Sequence, residues 1–166
     1  GQLVFVTVRH THRGAQGGET IDEQRIVYRE APPAGSNPLP ARAEPAPADG
    51  EFVRHCSPDP VQLFRFSALT FNGHRIHYDR RYVTETEGYP GLIVHGPLIA
   101  TLLTDLVRRN STTPMTSFKF KAVSPLFDIA PFSVNGIPSA DGKQVKLWAQ
   151  GAAGQLAMDA EATLAV

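Results

Sequence analysis

The sequence is poor in cysteine, in net charge and in long apolar runs. Cys56 is the only cysteine among 166 residues, so no disulfide can form within the chain and its fold does not depend on an oxidising compartment. Sixteen Lys and Arg residues balance sixteen Asp and Glu residues without a basic stripe, which argues against a nucleic-acid partner. No apolar run approaches the roughly 18 residues of a membrane span. These absences predict a cytoplasmic protein that inserts into no membrane.

Two features near residue 57 are ambiguous. Cys56 follows His55, which suggests a nucleophile beside a base, but adjacency in sequence does not place a base in space. We interpret Cys56 as a thiol in a loop or at a strand end. Residues 58–69 fit either a strand or a short helix, which Ser57 would cap with Pro58 in its first turn.

The chain divides by composition into three parts. Residues 1–30 carry two segments rich in β-branched residues, 2–9 and 22–30, which predict an antiparallel pair of strands. Residues 31–50 hold six of the fourteen prolines. Because proline lacks an amide donor and fixes φ, this stretch predicts an extended linker. Residues 51–166 form the larger remainder and carry the predicted core.

The clearest predicted helix spans residues 96–109. Its apolar residues recur at helical spacing and form one stripe: Leu98, Ile99, Leu102, Leu103, Leu106 and Val107. Strand-like segments follow at 116–124, 143–151 and 155–166, with another indicated within 131–142. The pattern predicts an α+β fold in which an antiparallel sheet wraps one long helix.

The segment FNGHRIHYD, residues 71–79, is the densest cluster of polar side chains. Three hypotheses compete for it. A metal site could use His74, His77, His95 and Asp79, but no zinc-binding spacing such as HExxH or CxxC is present, so we expect no metal. A structural turn capped by Asn72 is the second hypothesis. The third is acid/base catalysis, because a histidine titrates near neutrality and can move a proton.

The segment EGYPGLIVHGPL, residues 87–98, favours the catalytic hypothesis. It leads through glycines into the long helix, whose first amides lack an internal acceptor and whose dipole makes that end positive. An oxygen that gains negative charge is stabilised there, and Gly96 has no side chain to block its approach. A proton carrier followed by such a helix start indicates enolate chemistry on a thioester.

Residues 66–105 contain both motifs, and the combination resembles the MaoC-like, or (R)-specific, enoyl-CoA hydratase family. The likeness is greatest to its double hot-dog branch, which includes mesaconyl-C4-CoA, itaconyl-CoA and 3-hydroxyacyl-thioester hydratases. It implies a hot-dog fold, with helix 96–109 at the centre of the sheet. It also implies reversible hydration of a 2-enoyl-CoA, with coenzyme A carried by the substrate and no separate cofactor.

The resemblance also implies roles for individual residues. His77 matches the family's histidine, and we expect it to be the general base and acid. Asn72 stands where the family has an aspartate; we expect it to orient water, with Asp79 as an alternative carboxylate. The amide of Gly96 is expected to bind the thioester oxygen. Other expected substrate contacts are His74, Arg75, Tyr89, Gly91, Val94 and His95.

The chain departs from the branch in extent. Relatives carry two hot-dog halves, whereas this sequence starts on a strand, so we expect an N-terminal half to precede it or to come from another chain. Residues 1–30 are then the tail of that half, and residues 51–166 are the C-terminal hot-dog domain. A homodimer or a pseudo-dimer of halves is expected.

The substrate's acyl group is not readable from the motifs. A C4 or C5 dicarboxylic acyl group would need a cation, and Arg65, Arg75 and Arg80 are candidates. Two alternatives stay open: a non-catalytic acyl-thioester-binding subunit, which the amide at Asn72 would allow, and a hot-dog thioesterase, which would need a carboxylate directed at the thioester.

Overall fold

The computed structural model describes residues 2–30 and 43–165, which fall into two compact units. The first is an antiparallel hairpin of β1 (Leu3–Arg13) and β2 (Glu19–Arg29). The predicted pair is confirmed, but both strands extend into the predicted loop 10–21. The turn narrows to 14–18, where Gly17 and Gly18 adopt positive φ that other residues avoid. Residues 31–42 of the predicted linker lie outside the described residues.

The second unit is a five-stranded antiparallel sheet with helices against it. Its strands are β3 (Phe52–Cys56), β4 (Met115–Ala122), β5 (Phe132–Pro138), β6 (Gln144–Gly151) and β7 (Leu156–Leu164). They are ordered β3-β5-β6-β7-β4, with every neighbouring pair antiparallel. The helices are α1 (Pro60–Leu69) and α2 (Gly96–Asn110). Within the described residues, no helix is long and apolar enough to cross a membrane.

Helix α2 lies across all five strands of this sheet, and the core lies between them. The predicted helix is confirmed within one residue. Five members of the predicted stripe are buried, while Leu102 is half-buried. Asp105 on the outer side of α2 pairs with Arg54 of β3 at 2.8 Å, which ties the helix to the edge strand. The sheet wrapped on one helix is the expected hot-dog arrangement.

The start of α1 corrects one prediction. Asp59, not Ser57, is the N-cap: its Oδ1 accepts hydrogen bonds from the amides of Val61 (2.8 Å) and Gln62 (3.0 Å). Pro60, not Pro58, occupies the first turn. The sequence here is SPDP, so Ser57 and Asp59 are both candidates for the N-cap. Asp59 is favoured because a negatively charged acceptor is stabilised at the positive end of a helix.

Strand β3 was not predicted, because five residues are too few to show a period. It pairs with β5 and ends at Cys56, so the strand-end interpretation of that thiol is confirmed. The thiol is half-buried, and burial raises the pKa of Cys56. A raised pKa disfavours the thiolate that a nucleophile needs.

Candidate active site

The polar segment begins where α1 ends. Phe71 adopts the left-handed conformation (φ 54°) that often terminates a helix, and its side chain is exposed. The amide of Asn72 then donates to the carbonyl of Ser67 at 2.9 Å. The side-chain oxygen of Asn72 accepts from the amide of His74 at 3.0 Å, which closes a tight turn. A short 3₁₀ helix, Arg75–His77, follows and turns His77 inward.

His77 is buried, with 8% of its surface exposed. Its Nδ1 lies 2.7 Å from the carbonyl oxygen of Ile93. Because a carbonyl can only accept, Nδ1 must carry the proton, and in the neutral ring Nε2 keeps a free lone pair. Desolvation lowers the pKa of His77, as does the nearby His74, against the opposing effect of the Ile93 bond. The ring is therefore a neutral base with a defined tautomer.

His95 lies directly against His77, with ring centroids 3.8 Å apart and planes inclined by 16°. It is fully buried, and its Nε2 lies 2.8 Å from the hydroxyl of Ser67. Its Nδ1 has no partner among the described residues. Burial first, and the neighbouring His77 second, lower the pKa of His95 to about 4. The structure stacks this ring on that of His77, and the expected contact between His95 and substrate stays a prediction.

The other polar side chains of the segment face outward. Asp79 pairs with Arg75 at 2.8 Å and accepts from the amide of Tyr82 at 3.0 Å, and the Tyr82 and Arg75 bonds lower the pKa of Asp79. The guanidinium of Arg75 also sits 4.2 Å above the ring of Tyr82. His74 is exposed, edge-on to His77 at 5.7 Å between centroids. These residues form a locally satisfied surface around the buried rings.

The start of α2 is open at Gly96. A methyl group built there would meet only the end of the Met158 side chain, at 4.0 Å, so the protein's own packing does not require glycine. His95 is the N-cap residue, and Pro97 is in the first turn. The first amides of a helix point away from it without intrahelical partners. The positive end of α2 therefore lies at Gly96, the residue directly after His95, whose ring stacks on His77.

Gly91, Val94 and Tyr89 have packing roles. A methyl group at Gly91 would lie 2.9 Å from Asp128 Oδ1 and 3.0 Å from Ile129, so packing excludes a side chain there. Val94 is part of the hydrophobic core. Tyr89 is half-buried, with its ring 6.0 Å from that of Phe127, which lines a cavity of about 380 Å³.

The three candidate arginines differ in their surroundings. Arg80 forms a two-point ion pair with Asp128, whose carboxylate is buried and also accepts from the amide of Leu92. Arg75 is committed to Asp79 and Tyr82. Arg65 is exposed on α1.

The described residues give no support to the hypothesis of a metal site. Among residues 2–30 and 43–165, no three His, Cys, Asp or Glu side chains are arranged to hold a metal ion. His77 and His95 lie close together, but one ring nitrogen of His77 is bonded to the Ile93 carbonyl and one ring nitrogen of His95 to the Ser67 hydroxyl. Ser67 itself was missed from the sequence, since a serine within a helix carries no signal until its partner is placed.

Residues 1–128 match the family model for hydroxyacyl-thioester dehydratase type 2. The mesaconyl-C(4)-CoA hydratase of Chloroflexus aurantiacus is 46% identical over 164 residues, which cover 99% of this chain and 57% of that enzyme. The mitochondrial hydroxyacyl-thioester dehydratase type 2 of Schizosaccharomyces pombe is 37% identical over 81 residues, 47% of this chain and 27% of that protein. The chain thus spans about half, or less, of the length of these relatives.

Solved structures agree on the fold. The (R)-hydratase from A. caviae superposes with a TM-score of 0.61 at 18% identity, covering 80% of this chain and 99% of that one. A MaoC-like dehydratase from Phytophthora capsici gives a TM-score of 0.70 at 15% identity, over 97% of this chain and 56% of that one. The chain belongs to the hydroxyacyl-thioester dehydratase type 2 family, and it shares the hot-dog fold of these solved structures. The resemblance expected from the two motifs is confirmed.

Proposed function

We propose that this chain carries the acid/base site of a hydro-lyase that reversibly adds water to a 2-enoyl-CoA to give a 3-hydroxyacyl-CoA. The observation that carries the proposal is the His77 ring. It is buried and neutral, its Nδ1 proton is held by Ile93, and its Nε2 lone pair is free to take a proton.

In the hydration direction, Nε2 of His77 takes a proton from water while the water oxygen bonds to C3 of the enoyl group. The electron pair of the C2–C3 double bond moves towards the thioester, whose oxygen gains negative charge. We assign its stabilisation to the Gly96 amide at the positive end of α2. The imidazolium then returns the proton to C2, so that the elements of one water molecule have been added.

Asn72 is assigned to the water. Its side-chain oxygen is engaged by the amide of His74, which leaves the two amide hydrogens to donate to a water oxygen. An amide cannot act as a base, so in this scheme His77 handles both proton transfers. Asp79 is given a structural role, because Arg75 and the Tyr82 amide already bind its carboxylate.

For the substrate, we propose a C4–C5 dicarboxylic enoyl-CoA of the mesaconyl kind, with coenzyme A as part of the substrate and no further cofactor. The support is the 46% identity to the Chloroflexus mesaconyl-C(4)-CoA hydratase. Arg65, exposed on α1, is our candidate for the distal carboxylate, because Arg75 and Arg80 are engaged in ion pairs.

We also propose that the hot-dog unit pairs side by side with a second hot-dog half, in the cytoplasm. The matched relatives are longer than this chain, and residues 1–30 would then be the tail of the other half. The paired half is also where we expect the remaining coenzyme A contacts.

One assay separates the alternatives. The intact protein is incubated with a panel of enoyl-CoAs, including mesaconyl-C4-CoA, while enoyl-thioester absorbance and free thiol are followed together. A hydratase removes the absorbance reversibly and releases no thiol. Release of free thiol would replace the proposal with a thioesterase, and binding without either change would replace it with a binding subunit.

A further inference from the structure

We propose that Ser67 and His95 form a buried positioning pair that holds the His77 ring in place and uncharged for proton transfer. This inference rests on the proposed function, because it concerns the same proton carrier. Neither residue touches the reacting atoms in this scheme; both act through His77.

The geometry fixes the His77 ring in two directions. The Ile93 carbonyl binds Nδ1 at one edge of the ring, and the His95 ring covers one of its faces at 3.8 Å. A single hydrogen bond leaves a ring free to swing about that bond. A nearly parallel ring against the face removes this freedom, so the direction of Nε2 is set.

Ser67 extends this support into α1. Its hydroxyl lies 2.8 Å from Nε2 of His95, and its carbonyl accepts the amide of Asn72 at 2.9 Å. Ser67 therefore positions both the His95 ring, through its hydroxyl, and Asn72 at the start of the polar segment, through its carbonyl. The phenyl ring of Phe66, 4.8 Å from His95, closes another side of the imidazole.

The electrostatics work in the same direction. His95 is fully buried and is the N-cap residue of α2, where the positive helix end opposes a cationic ring. Two imidazoles in contact cannot both become charged at ordinary pH. The other titratable ring that faces His77 is His74, at 5.7 Å, while Arg75 and Asp79 neutralise each other outside. The uncharged His95 ring that contacts His77 therefore does not stabilise the protonated form of His77.

A purely structural histidine explains the site less well. The Nδ1 atom of His95 is buried without a partner among the described residues, and an unpaired buried polar atom costs stability. A phenylalanine would fill such a space without that cost. What the imidazole adds is the bond to Ser67, which couples α1 to the ring beneath His77.

The test is a double-mutant cycle in the intact protein, with S67A, H95F and S67A/H95F assayed on the best enoyl-CoA. Because misplaced reacting groups lose up to about 100-fold in rate, we expect S67A to lower kcat by roughly tenfold and to leave KM nearly unchanged. If Ser67 acts through His95, S67A costs nothing more once H95F is present. Additive losses would overturn the proposal.

A matched control is S133A. Ser133 on β5 also bonds a buried polar side chain, that of Asn135 at 3.0 Å, but it lies outside the site. We expect this variant to keep the wild-type kcat. An S67A variant no slower than S133A would overturn the positioning role, since both lose one hydroxyl bonded to a buried partner.

A second readout does not depend on turnover. In ¹⁵N-histidine-labelled protein, we expect His77 to be the Nδ1–H tautomer and to titrate below the ordinary value of 6.5, and we expect H95A, which admits water, to raise that value. An unchanged His77 titration in H95A would refute the proposal. A wild type inactive on every enoyl-CoA would refute the proposed function alone, because this titration would still test the pair.

Discussion

Two groups of polar side chains lie between residues 67 and 95, and their environments differ. The outer group consists of His74, Arg75 and Asp79, whose side chains face solvent or each other. The inner group consists of Ser67, His77 and His95, which are buried. His74 and His77 are the same residue type three positions apart, yet only His77 has a ring nitrogen bonded to the backbone and a ring against its face.

The difference lies in where each group finds its partners. Outer side chains find their partners three or four positions away, as Asp79 does with the amide of Tyr82 and with Arg75. Inner residues are satisfied 16 and 28 positions away, across different elements. Local pairs at a surface stay solvated and weak. Distant partners exclude water, and this exclusion depresses the pKa values of the two inner histidines.

The largest effect is expected when His77 and His74 are each replaced by alanine and the two variants are compared. Loss of a general base costs typically about 100- to 10,000-fold, so H77A should lose that much kcat on an enoyl-CoA. H74A should stay within a few-fold of wild type, because its exposed ring has no assigned part in the proton transfer. Steady-state hydration rates, with circular dichroism as a check on folding, decide the matter. An unchanged turnover number for H77A would sink the assignment.

The next effect compares two glycines that flank the inner group. G96A should fold normally, since its methyl group meets only Met158 at 4.0 Å. If the thioester oxygen approaches there, kcat/KM falls on the order of tenfold through displaced substrate. G91A should do the reverse, losing about 1–3 kcal/mol of stability because Asp128 and Ile129 leave no room. Paired melting curves and rates test this, and equal behaviour of the two variants would contradict it.

A smaller effect concerns stability against pH. In the unfolded chain His95 binds a proton near 6.5, but in the folded chain only near 4. Between these values the unfolded state holds more protons, so stability is complete above 6.5 and falls as the pH drops towards 4. H95F should flatten that part of the melting-temperature profile. An equally steep profile in H95F would show that other groups cause the loss.

The smallest expected effect comes from the outer group. D79N removes the charge that pairs with Arg75 but keeps an oxygen for the Tyr82 amide. Because the pair is exposed and screened, activity should be nearly unchanged and the melting temperature only slightly lower. A large loss of kcat would instead identify Asp79 as the second catalytic carboxylate, and the comparison between outer and inner groups would fail.

Much of this architecture was predictable because it rests on local rules. The α2 stripe, the turn signals and the β-branched runs led to the helix and to most strands. Two features were predicted wrongly or not at all: the N-cap of α1, for which two residues competed, and strand β3. Ser57 and Asp59 both precede a proline, and only the three-dimensional start of α1 showed which one accepts its free amides. Strand β3 was too short to have a readable period.

The site was predictable only in part. Spacing and resemblance pointed to His77 and to the helix start at Gly96, because these belong to continuous motifs. Gly91 and His95 lie in the same motif, yet only the structure shows that Gly91 packs against Asp128 and that the His95 ring stacks on His77. Ser67 had no motif at all.

The sequence by itself therefore determined the family, the long helix α2 and most of the strands, since each is encoded in short-range patterns. It also led to the hypothesis that His77 carries the proton. The tertiary structure decided which polar residues lose their water. Desolvation depends on side chains brought together from α1, the polar segment and the start of α2, and no spacing along the chain expresses that contact. It is this burial that separates His77 from His74.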